Sequence, residues 1–571
     1  MLHRGAEVLN TFIVVASEYA SYGSVDVNKQ PALKRSTGKW RACYLILGVE
    51  FCESMAFAAI STNLVKYLTT VLHETKVDAA RNVSAWLGAC SLSPLLGAFI
   101  ADTYWGRYWT IVASVPIYIA AMLVLIASAS LPALSSSSNH DDVPSAVVYL
   151  GLYLLAISNG GLKPCISTFG ADQFDVNDPV ELAQKGSFFN WYFFLTSTSS
   201  LLTGTVIVWL EDNAGWAVGY IIPAVLMLFF FVVFVAGSRV YRFRATQASP
   251  LTSIFQVVVA SVRKWHLQLP DDSSLLYELT SSPSTADAIP KNKHSNRFRF
   301  LDKAAIAPSD NESVEQMSSW RLCTVTQVEE LKMLLSMSPT WGSFVIFFSI
   351  SAQMTSTLVE QGMFMDNHVG SFAIPPASMP TVSVCSFLIW IPVYETILIP
   401  LVRRFTGKEK GFSQSQRLGI GQTLSTLTMV LAALLETRRL AIAEDNGLKH
   451  QDVPVPISIL WQVPLYLVHG ASAVFGGIGL TEFFYDEAPV SMRSLCAALG
   501  QLATAAGAYF SSAVLSIIAV ATTRGGEPGW IPDNLNEGHL DYFFWMMATL
   551  SFLNLALFVG YSMRHKGTQH F

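Results

Sequence analysis

The sequence predicts an all-α integral membrane protein with about twelve membrane-spanning helices in two groups of six. Three observations carry this reading. Of the 571 residues, 51% are hydrophobic and only 13% are charged, whereas a soluble chain carries about a quarter charged residues. Apolar runs of about 20 residues, the length that a bilayer core demands, recur along the chain. One long polar interval falls between the sixth run and the seventh.

The first six spans are expected at 42–70, 83–104, 108–130, 145–170, 187–209 and 217–238. The second six are expected at 338–360, 377–402, 415–438, 457–484, 491–522 and 540–563. Ahead of the first span stands a basic run, Lys29, Lys34, Arg35, Lys39 and Arg41. Arg107, Arg239, Arg242, Arg244, Arg403, Arg404, Lys408, Lys410, Arg493, Arg564 and Lys566 flank alternate spans on the same side. The opposite connections carry Asp141, Asp142, Glu211, Asp212 and Asp366, with Arg438 and Arg439 as exceptions. Basic loops stay on the cytoplasmic side, so both termini are expected there. The apolar stretch Phe12 to Ala16 is too short for a signal-peptide core and is interrupted by Glu18, so no cleaved signal is expected.

The expected organisation is a cytosolic tail (1–41), a six-helix bundle (42–238), a cytosolic linker (239–337), a second six-helix bundle (338–563) and a short cytosolic tail (564–571). The linker mixes Ser, Asp, Lys, Asn and Pro, as in Ser281 to Lys293, with short amphipathic pieces such as Val328 to Leu335. Such composition reads as a partly disordered connection. Small residues, including Gly88, Ala89 and Gly97 in the second span and Ala497, Ala498, Gly500, Ala506 and Gly507 in the eleventh, are expected to let helices approach closely in lipid.

Several function classes drop out. A net charge of -5 and the lack of a basic, aromatic-interleaved patch argue against nucleic acid. The cysteines Cys43, Cys52, Cys90, Cys165, Cys323, Cys385 and Cys496 are scattered singly. They read as small buried packing residues rather than as disulfides or zinc ligands. His73, His368, His469 and His539 have no second ligand at metal spacing. No phosphate loop, nucleophile elbow or HExxH is present, so neither an enzyme nor a cofactor is expected. Trp461 and Tyr466 read as interfacial anchors.

The loop after the second span reads GAFIADTYWGR, Gly97 to Arg107. Its Asp102, Gly106 and Arg107 resemble the short cytosolic turn of major-facilitator transporters. The stretch NGGLKPCISTFGADQF, Asn159 to Phe174, closely resembles the signature of the proton-coupled peptide/nitrate transporter family. The blocks FFNWYFF (Phe188 to Phe194), AQMT (Ala352 to Thr355), EFFYDEAP (Glu482 to Pro489), SMRSLCAAL (Ser491 to Leu499) and GHLDYFFW (Gly538 to Trp545) look similar to that family, as do FRFLDKAAI and TVTQVEELK in the linker. The resemblance runs from about residue 40 to 563 and is closest to the plant di- and tripeptide branch. It implies a major-facilitator fold.

The resemblance also implies a proton-coupling network, usually Glu-x-x-Glu-Arg or Lys on the first helix, a Lys on the fourth and a Glu on the tenth. Here Glu50, Glu53 and Lys163 match, but Ser54 stands at the position of the base and Ala473 at that of the helix-ten Glu. The usual network holds three acids and two bases; two acids and one base remain, so the formal balance is again minus one. Losing both together leaves neither unpaired in the bilayer. The inferred substrate cavity departs as well. Phe57 and Ala58 replace a Tyr-Tyr pair, Ser197 an Asn and Leu480 a Gln, while Gly476-Gly477 replace an aromatic pair and Tyr394-Glu395-Thr396 a Tyr-Asp-Arg. Fewer hydrogen-bond donors predict weak or altered recognition of peptide termini.

The expected function is secondary active transport, in which protons drive a small peptide or another small polar metabolite. The two bundles are expected to rock around a midplane cavity, with Asp102 and Arg107 helping to set the cytosolic gate. The alternatives are a receptor, regulator or passive facilitator that has lost coupling, or a carrier of nitrate or another non-peptide substrate. The resemblance allows the plasma membrane or the vacuolar membrane, with the plasma membrane preferred.

Overall fold

The computed structural model describes residues 19–20, 24–74, 76–134, 145–175, 178–244, 250–270, 276–278, 294–307, 318–370, 372–407, 411–523, 529–532 and 534–569. The expectations placed on Phe12 to Glu18, Asp141, Asp142, Ser281 to Lys293, Lys408 and Lys410 lie outside these residues, as does that on the Lys566 side chain. Among the described residues twelve helices are long and apolar enough to cross a membrane. The first six are Lys39–Val71, Asn82–Trp105, Arg107–Ser130, Ser145–Ala171, Pro179–Glu211 and Trp216–Val240. The second six are Val325–Met363, Pro376–Thr406, Gln414–Asp445, Ile459–Asp486, Arg493–Thr522 and Leu540–Arg564. In lipid a backbone has no water to bond, so helices that satisfy their own polar groups are the available solution. The strands are short: Met365–Asp366 pairs parallel with Val455–Ser458, and His368–Val369 antiparallel with Phe372–Ala373.

Local chemistry sets several helix ends. Gly106, at φ +77°, makes the turn between the second and third helices, where an L side chain is strained. Ser413 Oγ accepts from Gln416 N while the Gln416 side chain accepts from Ser413 N, a reciprocal cap that starts the ninth helix. The amphipathic piece expected at Val328 to Leu335 is not a separate element. It is the start of the seventh helix, which begins at Val325 rather than near 338. Glu329, Glu330 and Lys332 lower hydropathy there without interrupting the backbone ladder.

The chain divides into two compact units. One takes the residues up to Phe188, Ile207–Ser338 and Phe484–Ala498; the other takes Phe189–Val206, Pro339–Phe483 and the residues from Leu499 onward. In the first unit the second and fourth helices approach so closely that a Cβ at Gly97 would stand 2.1 Å from Gly160 O. A Cβ at Gly160 would stand 2.6 Å from Ser93 O and one at Gly161 2.1 Å from Ser114 Oγ, so the Gly pair of the NGG motif is needed for packing. The first unit also holds a small core in the 239–337 segment, where Val257, Ala260, Leu301, Ala304, Ala305, Cys323, Val328 and Leu331 are buried together. The second unit has a larger core that includes Ile350, Leu358, Met429, Tyr466, Phe543 and Met547.

Burial corrects two expectations and explains one exception. Tyr466 is not an interfacial anchor: it is fully buried, and its hydroxyl donates to Met354 O at 3.0 Å. Trp461, by contrast, is exposed. Cys385 is exposed, while the other six cysteines are buried. Arg439, an exception to the charge rule, is buried and paired with Glu436 Oε1 at 2.6 Å on its own helix. A paired base carries no net charge to orient a helix.

Candidate functional site

Glu50 and Glu53 stand one turn apart on the first helix, both with 0% exposure. Lys163, on the fourth helix beside Pro164, brings its Nζ to 2.5 Å from Glu53 Oε2 and 3.7 Å from Glu50 Oε1. Ser54, at the position where the family resemblance implies a base, donates its hydroxyl to Glu50 Oε1 at 3.2 Å. Tyr118 OH donates to the backbone carbonyl of Glu53 at 3.3 Å. The Lys163 ammonium also lies 5.9 Å from the centre of the Phe57 ring, which stacks on Trp86 at 5.5 Å. The structure thus gathers the three expected coupling residues and one expected cavity residue around one ammonium. Its side chain keeps 20% exposure, so Lys163 borders open space while both carboxylates are sealed. Chemically, two buried carboxylates share one base, and the group can bind or release a proton as its pairing changes.

Asp102 and Arg107 also come together. Asp102 lies in a wide π-turn, Ala101–Trp105. Its Oδ2 accepts from Leu495 N at 3.1 Å, at the start of the eleventh helix, where a carboxylate meets the positive helix end. Arg107 lies 3.5 Å from Asp102 and also bonds Asp172, while its Nε donates to Ser494 Oγ at 2.8 Å.

Asp172 was not singled out from sequence, although it is the Asp of the FGADQF block. It is 3% exposed and accepts from Tyr485 OH at 2.6 Å and from Arg493 at 3.1 Å, with Arg244 Nε at 3.3 Å. Burial acts to raise its carboxyl, but the charges of Arg107, Arg244 and Arg493 outweigh that and hold it well below the usual carboxylate range. Tyr485 and Arg493 come from the EFFYDEAP and SMRSLCAAL blocks, so the family signature locates the cluster even though it does not show the pairing.

In the second unit Ser197 and Ala473 are half-buried, and Leu480 is buried at 1% exposure. No hydrogen bond joins the three. Ala58, in the first unit, is half-buried. The Gly476-Gly477 pair has two different surroundings. A Cβ on Gly421 of the ninth helix would stand 2.4 Å from Gly476 N, whereas a Cβ on Gly477 would meet nothing within 4 Å. Gly476 is therefore a packing residue, and only Gly477 opens space. His469, one turn before Ala473, is buried, and its Nδ1 has no hydrogen-bond partner among the described residues.

A second buried network was also missed. Arg417 donates to Glu482 Oε2 and to Asn190 Oδ1, each at 2.7 Å, and stacks over Tyr394 at 4.6 Å. Asn190 in turn donates to Glu395. These residues come from four helices far apart in the chain, so no local pattern reveals them. His294, Asp302 and Glu329 also bring ligand-type atoms within 4.8 Å of one another. Lys332 already lies 2.6 Å from Asp302 and 2.8 Å from Glu329, which makes the set an ion-pair network.

Comparison with known proteins gives these sites a context. The family described as PTR2, POT family, matches residues 108–531. Protein NRT1/ PTR FAMILY 8.3 of Arabidopsis thaliana is 48% identical over 556 residues, covering 96% of this chain and 95% of that protein. Protein NRT1/ PTR FAMILY 8.1 of the same organism is 45% identical, covering 96% and 97%. Among solved structures, the POT family transporter PepTSo superposes with a TM-score of 0.59 at 20% identity, covering 92% of this chain and 99% of that one. An auto-inhibited POT family peptide transporter gives 0.57 at 20% identity, covering 92% and 97%. The structural likenesses show the major-facilitator fold. With a family match across most of its length and relatives near half identity, this multi-pass membrane chain belongs to the POT family of transporters.

Proposed function

We propose that this chain is a proton-coupled symporter of small peptides or a related small polar metabolite, working by alternating access. The observation that carries the proposal is the single Lys163 ammonium between the buried carboxylates of Glu50 and Glu53. Two acids and one base leave one negative charge, and an uncompensated charge is expensive inside a bilayer. One proton restores neutrality. A conformational change that moves Lys163 away from Glu53 changes which partner, ammonium or proton, satisfies the carboxylate, and so couples proton movement to the transport cycle.

One protein of the same fold is a peptide transporter, which supports a peptide-sized substrate. Phe57, Ala58, Ser197, Ala473 and Leu480 are the proposed cavity residues, and Asp102 with Arg107 the cytosolic gate. In this reading 42–238 and 338–563 are the two six-helix bundles, 239–337 and both tails are cytosolic, and the plasma membrane is the host. Uptake of a labelled dipeptide by voltage-clamped oocytes, at acid and neutral external pH, tests the proposal. Inward current with accumulation at acid pH supports it.

Ser54 and Ala473, in place of a base and an acid, define a second reading, in which coupling is lost and the chain is a receptor, a regulator or a passive facilitator. Ligand binding without concentrative uptake at any pH distinguishes it.

A further inference from the structure

The exposed surface of the 239–337 segment carries a feature that transport does not explain. The helix Pro250–Arg263 packs Ser253, Val257, Ala260 and Ser261 inward, and Ser261 Oγ donates to Leu301 O at 3.1 Å. Its opposite face is also apolar. Phe255, Val258, Val262 and Trp265, just past its end, are 58%, 41%, 65% and 75% exposed. The spacing of three, four and three residues aligns them in one stripe.

A second exposed group adjoins the stripe. Phe298 and Phe300, 6.3 Å apart edge to face, flank the exposed Arg299. Lys303, three residues after Phe300 in the same 3₁₀ turn, donates to Trp265 O. Positions three apart eclipse in such a turn, so the Phe300 ridge meets the Trp265 end of the helix. The FRFLDKAAI block thereby splits. Leu301, Asp302, Ala304 and Ala305 build the local core, while Phe298, Arg299 and Phe300 face outward.

We infer that this aromatic and basic surface docks onto the headgroup region of the cytoplasmic leaflet, with anionic phospholipid as its occupant. Position supports this. The helix follows the sixth span after nine residues, and the local core contains Val325, Val328 and Leu331 from the start of the seventh helix. At 1.5 Å per residue, Leu331 lies about 10 Å from residue 338, where the apolar stretch begins. Length supports it too. Fourteen helical residues span about 21 Å, too short to cross a bilayer core of about 30 Å but suited to lying on its surface. Charge agrees. From 239 to 270 the chain has no Asp or Glu, and Arg239, Arg263 and Arg299 of this segment are exposed. Basic groups beside a span are attracted to anionic lipid. The inference rests on the cytosolic placement of this segment and not on any substrate.

The test uses the full-length protein. Cys385→Ala removes the exposed cysteine, and Val262→Cys then carries an environment-sensitive fluorophore. The labelled protein is placed in vesicles of phosphatidylcholine alone or with phosphatidylserine. The expected result is several-fold stronger quenching by lipid-borne nitroxide than by aqueous iodide, rising with phosphatidylserine and falling in Arg263→Glu/Arg299→Glu. Full iodide access without lipid quenching overturns the inference, because the surface is then solvated. Protection from both quenchers also overturns it, because protein and not lipid then covers the stripe.

Discussion

Lys163 Nζ lies 2.5 Å from Glu53 Oε2 with neither group able to find bulk water as an equal partner, since Glu53 is fully buried and Lys163 is only 20% exposed. Breaking one side of a buried pair leaves an uncompensated charge and typically destabilises by about 3–5 kcal/mol. Lys163→Ala, which removes the ammonium that pairs with Glu53 and Glu50, is therefore expected to lower the thermal midpoint of the purified protein sharply. Adding Glu53→Gln to Lys163→Ala is expected to recover part of the loss. If the double variant is no more stable than the single one, the pairing is not what holds this region.

Gly421, which packs against Gly476, and Gly477 are expected to respond oppositely to enlargement. Gly421→Ala drives a methyl into the Gly476 backbone at 2.4 Å, and overpacking of this kind costs about 1–3 kcal/mol. Gly477→Ala meets nothing within 4 Å and is expected to leave the thermal midpoint unchanged. Equal tolerance at both positions would contradict the packing assigned to the ninth and tenth helices.

Phe57→Tyr and Ala58→Tyr restore two phenolic hydroxyls. Phe57 keeps its stack on Trp86 when replaced by Tyr. Each new hydrogen bond to a substrate terminus is worth about 0.5–1.5 kcal/mol, or roughly two- to tenfold in affinity. Competition by unmodified dipeptides against a labelled substrate should therefore strengthen by that factor. Unmodified dipeptides that compete equally well before and after the change would remove these positions from the cavity.

Asp172 gives a pH prediction with a definite sign. Its carboxyl is held below the usual range by three guanidinium groups that outweigh burial. A lowered carboxyl contributes stability above its unfolded value of about 3.9 and loses it as pH falls through the folded value. The stability gap between the wild type and Asp172→Asn is thus expected to stay constant between about pH 7 and pH 5 and to narrow only below about pH 4. A gap that closes between pH 7 and pH 5 would mean that Asp172 titrates in the range where transport is expected to be driven.

These residues also show what is legible in such a sequence. The spans are legible because lipid requires long apolar stretches, and every expected span has its helix. Hydropathy places the start of the seventh helix too late because Glu329, Glu330 and Lys332 end the apolar signal without ending the helix. Glu50, Glu53 and Lys163 are legible because they match the coupling positions that the family resemblance implies. The partners of Asp172 are not, since Arg107, Arg244, Tyr485 and Arg493 all lie far from it in the chain. Arg439 misleads the charge rule because its neutralising partner, Glu436, is a turn away. Gly476 shows the opposite hazard: a departure that reads as a change in the cavity is a requirement of helix packing.

The most direct test of the central claim is acid-stimulated uptake by Glu53→Gln, measured against the wild type in voltage-clamped oocytes at equal surface expression. The account predicts that the wild type accumulates labelled dipeptide or a related small metabolite with an inward current at acid pH, and that Glu53→Gln loses both. Acid-stimulated accumulation that persists unchanged in Glu53→Gln would contradict it, and the Lys163–Glu53 pair would then be a structural salt bridge and not a proton site.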